Sequence, residues 1–201
     1  MDKRNLLLAL LASTLIAVLV IPTIQNLPLP SGIVTLGTTS VSLALGILAF
    51  IGYLIAEMLS KWVPLFRQLG RFAVVGVLNT IVDFAIFNLL ISYASVNEGL
   101  LADVFKGMSF VVAVVNSYYW NKYWTFQVKE RVKSEVFEFL VVSLVGFGLN
   151  VGVFHTVVNI IGPIGEIGPA AWANLGTLAG TLVGLAWNFL GYKLIVFKKP
   201  S

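Results

Sequence analysis

The sequence predicts an all-α polytopic membrane protein: six transmembrane helices, arranged as an N-terminal hairpin followed by a four-helix core made of two parallel two-helix repeats. Three observations lead there. The chain is 58% hydrophobic and only 11% charged over 201 residues, with mean hydropathy +0.94, whereas soluble domains carry about 25% charge. Its apolar runs are long enough for helices that cross a hydrocarbon core of about 30 Å, and none shows the alternation of a β-barrel. Finally, an offset of 71 positions superimposes two stretches of the chain without a gap.

The six apolar segments run near Leu6 to Thr23, Ile33 to Met58, Phe72 to Tyr93, Val104 to Trp124, Phe137 to Ile161 and Ala171 to Val196. Lys3 and Arg4 precede the first, as in a signal peptide, but its apolar run is too long and no clear small-x-small site follows, so it reads as a retained helix. All Lys and Arg residues except Lys106 fall in alternate connecting segments: Lys3 and Arg4; Lys61, Arg67 and Arg71; Lys122, Lys129, Arg131 and Lys133; Lys193, Lys198 and Lys199. The positive-inside rule then puts both termini in the cytoplasm of a cell with this protein in its cytoplasmic membrane. The opposite loops, QNLPLPSG, SVNEGL and GPIGEIGPA, are short and rich in Pro and Gly, as tight turns require. The same scattering of the basic residues argues against nucleic acid as a partner.

The organisation follows. Residues 1–60 form the hairpin, 61–71 an interfacial cytoplasmic linker, and 72–201 the core, with repeats at about 72–130 and 137–201. In the linker, Trp62, Phe66 and Leu69 are expected in the interface and Lys61, Arg67 and Arg71 toward lipid phosphates. At the 71-residue offset Asn79 meets Asn150, Asn88 meets Asn159, Lys122 meets Lys193 and Phe126 meets Phe197. Each repeat holds two spans, so both enter the membrane from the same side, unlike the inverted repeats of many transporters.

Polar groups at membrane depth are costly and each needs an account. Asp83 lies about halfway along the third segment, with Asn79 and Gly76 one and two turns before it on the same face. It reads either as a ligand- or proton-coupling carboxylate or as a buried acid hydrogen-bonded to a neighbouring helix. Lys106 either snorkels at the outer interface beside Asp103 or meets a phosphate there. Arg71, Lys122 and Lys193 mark the cytoplasmic ends of three helices, where together they would make a phosphate collar. Asn116, Asn121, Asn150 and Asn188 add amides. His155 reads as a neutral, hydrogen-bonded histidine. Gly176, Gly180 and Gly184, and more briefly Gly148 and Gly152, read as ridges for close helix packing.

Cysteine is absent and there is one histidine, which excludes disulfides, thiolate sites and multi-histidine metal sites. No nucleotide-binding loop or nucleophile elbow appears. No cofactor and no enzymatic activity are expected.

The segments RFAVVGVLNTIVDF (Arg71 to Phe84), NSYYWNKYWTF (Asn116 to Phe126), VGFGLN (Val145 to Asn150) and WNFLGYKLIVF (Trp187 to Phe197) together resemble the GtrA-like family of small membrane proteins. The resemblance covers about Leu65 to Lys199. It implies movement of a polyprenyl-phosphate-linked sugar across the cytoplasmic membrane for polysaccharide or glycolipid assembly. Arg71, Lys122 or Lys193 would then capture the phosphate, Asn79, Asp83, Asn116, Asn121, Asn150 and Asn188 would accompany the sugar, and Lys106 would stand at release. Partners on this reading are the lipid-linked sugar, membrane lipids, a glycosyltransferase and a second copy in a homodimer. Two alternatives stay open: a non-transporting anchor for a glycosyltransferase, and a proton-coupled exporter of small solutes.

Overall fold

A computed structural model describes residues 2–26, 37–95, 100–128, 134–162, 164 and 169–197. The described residues contain helices and no strand. Lys129, Arg131, Lys133, Lys198, Lys199 and most of the three short loops lie outside them. The chain divides into two compact units, 1–127 and 128–201, which are taken in turn.

The first unit opens with α1, Lys3–Leu19, whose N-terminus is capped by the Asp2 carboxylate accepting from the Arg4 amide at 3.2 Å. Such a cap satisfies one of the donors a helix leaves free. After Val20 comes α2, Ile21–Asn26. Then follow α3, Thr38–Leu59; α4, Leu65–Ala94; and α5, Leu100–Trp120, which runs directly into a π-helical turn, π1, Asn121–Thr125. Small residues fix how α1 meets α3: a Cβ on Gly46 would stand 2.7 Å from the Ser13 carbonyl, so only glycine permits the approach. The core of this unit is shared by α1, α3, α4, α5 and π1, with Ala9, Ala12, Ile16, Tyr53, Val75, Leu78, Ala113 and Trp124 buried together. The N-terminal hairpin is therefore packed into the same core as the first pair of family-like helices.

The expected linker is only partly a linker. Ser60 to Pro64 make the turn, and from Leu65 the chain is already helical, so α4 extends over 30 residues. Arg71, expected to face lipid phosphates, is 4% exposed. α4 stops where Ser95 adopts a left-handed conformation, φ 53°, a common way to close a helix.

The second unit contains α6, Glu135–His155, continued by π2, Thr156–Ile161, and α7, Pro169–Gly191, continued by π3, Tyr192–Val196. Glu135 and Glu138 occupy the first turn of α6, where negative charge suits the helix dipole. α6 and α7 pack closely through glycine. A Cβ on Gly180 would meet the Asn150 carbonyl at 2.5 Å, and one on Gly184 would meet the Gly146 carbonyl at 3.0 Å. The packing role expected for Gly180 and Gly184 is thus observed, while the surroundings of Gly176 lie outside the described residues. On α6 the reading needs correction: Gly148 and Gly152 face nothing within 4 Å, and the contact falls to Gly146. Gly76 likewise faces nothing within 4 Å among the described residues.

Among the described residues, three helices are long and apolar enough to cross a membrane, over Lys3–Ile24, Thr38–Leu59 and Leu65–Ala94, and a shorter apolar stretch spans Leu182–Val196. Large apolar side chains point outward in both units, among them Leu48, Val111, Phe137 and Leu144, as lipid-facing surfaces require and water-facing ones avoid. The two π turns π1 and π3 begin at Asn121 and Tyr192, 71 positions apart.

Candidate functional site

In the first unit, Arg71 lies near the start of α4 and Lys122 at the end of α5–π1. In π1 the Phe126 amide bonds to the Asn121 carbonyl at 2.9 Å, five residues back, and the carbonyls of Tyr123 and Trp124 are taken by arginines: Arg4 Nη2 donates to Tyr123 O at 3.2 Å and Arg71 Nη1 to Trp124 O at 3.3 Å. Two cations thus complete the C-terminus of α5–π1, where free carbonyls and the helix dipole favour positive charge. Arg71 also pairs with Glu57, Nη2 to Oε1 at 2.8 Å, while the other Glu57 oxygen receives Arg67 Nε at 3.3 Å. Glu57 is the partner the sequence did not reveal. It lies on an apolar helix outside the repeated region, and nothing local announces that it meets an arginine 14 positions on.

Lys122 is almost fully buried, at 1% exposure. Its ammonium lies 3.4 Å from the Tyr118 hydroxyl and 5.6 and 5.9 Å from the rings of Tyr118 and Tyr123, contacts that suit a desolvated cation. Lys193, in π3, is half-buried and sits 5.8 Å from the ring of Phe189. In each case the aromatic partner is four residues earlier, on the preceding turn.

Deeper along α4, the Asp83 carboxylate accepts from Ser109 Oγ of α5 at 2.6 Å, the neighbouring-helix bond that the simpler reading of this acid requires. Ser109 is fully buried, and it was missed because a lone serine in an apolar run carries no spacing signal. One turn before Asp83, Asn79 Oδ1 is buried with no partner among the described residues, as are Asn116 Nδ2 and Asn121 Oδ1. The Asn121 amide nitrogen does bond, to the Ser117 carbonyl at 2.9 Å. Lys106 lies on α5, but its side chain falls outside the described set.

In the second unit, Asn150 and Asn188 come together. They line a cleft of about 220 Å³ with Ser143, Gly146, Phe147, Gly184 and Leu185. Asn188 Oδ1 is buried without a partner among the described residues and packs against Gly146. The walls are held by Trp187 Nε1 donating to the Val142 carbonyl at 3.1 Å and by the Ser143 and Tyr192 hydroxyls 2.7 Å apart. Tyr192 in turn stacks on Phe139 at 4.5 Å. His155 is exposed, and its Nδ1 lies 3.0 Å from Asn159 Nδ2, which supplies the hydrogen bond expected of it.

The family model described as "GtrA/DPMS, transmembrane domain" matches residues 71–197. The chain belongs to the GtrA/DPMS transmembrane-domain family. A curated relative, the "Uncharacterized membrane protein YngA" of Bacillus subtilis (strain 168), is 32% identical over 136 residues, which cover 65% of this chain and 80% of the relative. No solved structure matches. The GtrA/DPMS match starts at Arg71 and ends at Phe197, so it holds every candidate residue from Arg71 to Lys193. Glu57, Lys61 and Arg67 precede it.

Proposed function

We propose that this GtrA/DPMS protein is a translocase that moves a polyprenyl-phosphate-linked sugar across the cytoplasmic membrane, without catalysing a covalent reaction. On this reading the chain spans the membrane six times with both termini cytoplasmic, and residues 72–201 are two parallel two-helix repeats. The spacing of π1 and π3 at the repeat offset, and the lysine over an aromatic ring in each, support the duplication.

The observation that carries the reading is a set of buried amide atoms without partners among the described residues, all on apolar helices: Asn79 Oδ1, Asn116 Nδ2, Asn121 Oδ1 and Asn188 Oδ1. Each orphan costs about 1–3 kcal/mol, an expense that a fold avoids unless something else bonds there. Sugar hydroxyls both donate and accept, so they match buried amides that, unit by unit, leave donors or acceptors unmet. The phosphate needs cations, which Arg71, Lys122 or Lys193 supply for capture and Lys106 for release. The prenyl tail needs only the apolar outer faces. A glycosyltransferase and a second copy of this chain are the partners such a role calls for.

The test is transbilayer movement of a polyprenyl-phosphate-linked glucose in liposomes carrying the purified protein. Wild type is expected to accelerate it, and Asn188→Ala, Asn79→Ala and Lys122→Ala to slow it by about tenfold or more, the cost of roughly one lost polar contact. Movement no faster than in empty liposomes sinks the reading, and co-purification with a glycosyltransferase without transport would leave the anchor role in its place. Movement that depends on a pH gradient and on Asp83 would favour the proton-coupled exporter.

A further inference from the structure

Mostly outside the family span, which contributes Arg71 and Gln127, the N-terminal hairpin and the start of α4 border a polar cleft of about 460 Å³, lined also by Asp2, Asn5, Glu57, Lys61 and Arg67. Its ionisable walls carry three cations and two carboxylates, one positive charge in excess. Glu57 bridges Arg67 and Arg71 with one oxygen each, so a single anion is shared by two guanidiniums that offer five donors apiece. Arg71 is 4% exposed, and its Nε is buried with no partner among the described residues. Arg67 is about half exposed, and its Nη2 otherwise reaches the Ser60 hydroxyl at 3.2 Å. A further acceptor is wanted here, preferably one that guanidinium forks recognise.

We propose that this cleft binds the phosphodiester of a lipid headgroup, with Lys61 and Arg67 as its exposed contacts, Arg71 as its buried donor and Glu57 as the anion it competes with. A phosphodiester carries one negative charge, which balances the cleft. The lipid source is favoured over free phosphate by the chain between the two exposed cations: Trp62, Val63, Leu65 and Phe66 are all exposed, Trp62 to 73%. An aromatic and apolar strip flanked by Lys and Arg is the composition of a membrane–water interface. Arg71 is shared with the translocation reading, but binding in the cleft does not require transport.

Native mass spectrometry of the full chain in nonionic detergent tests this, with dioleoylphosphatidylglycerol, a polyprenyl-phosphate-linked glucose and inorganic phosphate as separate probes. Wild type is expected to retain at least one of the two lipids. Lys61→Gln lowers that retention about fivefold and the Lys61→Gln, Arg67→Gln pair about 25-fold, at about 1 kcal/mol per interfacial cation. Lys61 is exposed, so its single variant remains decisive even where the double variant fails to fold. Both lipids retained alike mark a general phosphodiester site, and preference for the lipid-linked sugar marks an entry point for it; either supports the proposal. Retention of inorganic phosphate alone, or lipid retention indifferent to both variants, overturns it. Wild type that retains lipid but moves none refutes translocation and spares the cleft, and wild type that moves lipid while retention ignores both variants refutes only the cleft.

Discussion

The helix pair α4–α5 and the pair α6–α7 answer the same sequence pattern with different interiors. At the end of their second helix they agree: each closes in a π turn whose second residue is a lysine lying over an aromatic ring on the turn before. In the middle they part. Where α4–α5 has Val75, Ser109 and Ala113, the positions 71 further on in α6–α7 are Gly146, Gly180 and Gly184. The first pair is joined by a charged hydrogen bond, Ser109 to Asp83, and the position answering Asp83 is Phe154. The second is joined by backbone approach at glycine and leaves an amide-lined cleft. One lysine-bearing helix end thus keeps its form in both pairs, whereas the helix interiors reach close packing by different pairings.

The likeness of the two pairs breaks first at Arg71, which answers Val142 in the other pair. Arg71→Gln leaves Glu57, itself only 10% exposed, with the half-exposed Arg67 as its remaining cation, and removes a carbonyl cap. A loss of roughly 3–5 kcal/mol is expected, read as a large fall in the thermal midpoint of the detergent-solubilised protein, while Val142→Ala costs far less. Gly180→Val comes next: its new side chain meets the Asn150 carbonyl, and overpacking of about 1–3 kcal/mol follows, with Gly148→Ala in the same melt leaving the midpoint unchanged. Ser109→Ala removes the donor to Asp83 and is worth about 1.5 kcal/mol; if Ser109→Gly and Ser109→Ala both melt as wild type does, the charged bond is not what joins α4 to α5. The smallest effect is at Lys193, where Lys193→Met forfeits a half-exposed cation–π contact of about 0.5 kcal/mol, against a larger loss for the buried Lys122→Met.

Helices were legible in the sequence because apolar length has one common meaning in a lipid setting: each of the six expected segments overlaps observed helix, the first divided between α1 and α2, and among the described residues three helices are long and apolar enough to cross a membrane. Helix class was also plain. What escaped was pairing. Glu57 and Ser109 matter through partners 14 and 26 positions away, and no periodicity on their own helices distinguishes them from solvated or packing residues. Gly146 escaped for a related reason. Glycines recur along α6, and which of them meets α7 depends on the rotation of two helices, a quantity that spacing alone leaves open. Of the candidate amides, Asn150 and Asn188 share one cleft; the sequence drew attention to them because a costly group in an apolar run has few reasons to be there.

The capping of π1 carries a consequence for how the first unit is made. Arg4 reaches the Tyr123 carbonyl across 119 positions and Asn5 reaches Gln127 across 122. These contacts join residues synthesised early to residues that emerge only after four apolar segments have left the ribosome. Until then the hairpin can pair with α4 through Glu57, but Arg4 and Asn5 lack the partners that π1 and the residue after it will supply. Assembly of this unit is therefore completed late and over long sequence separation, and a chain stopped after α4 would keep the Arg71–Glu57 ion pair yet leave it facing no carbonyl.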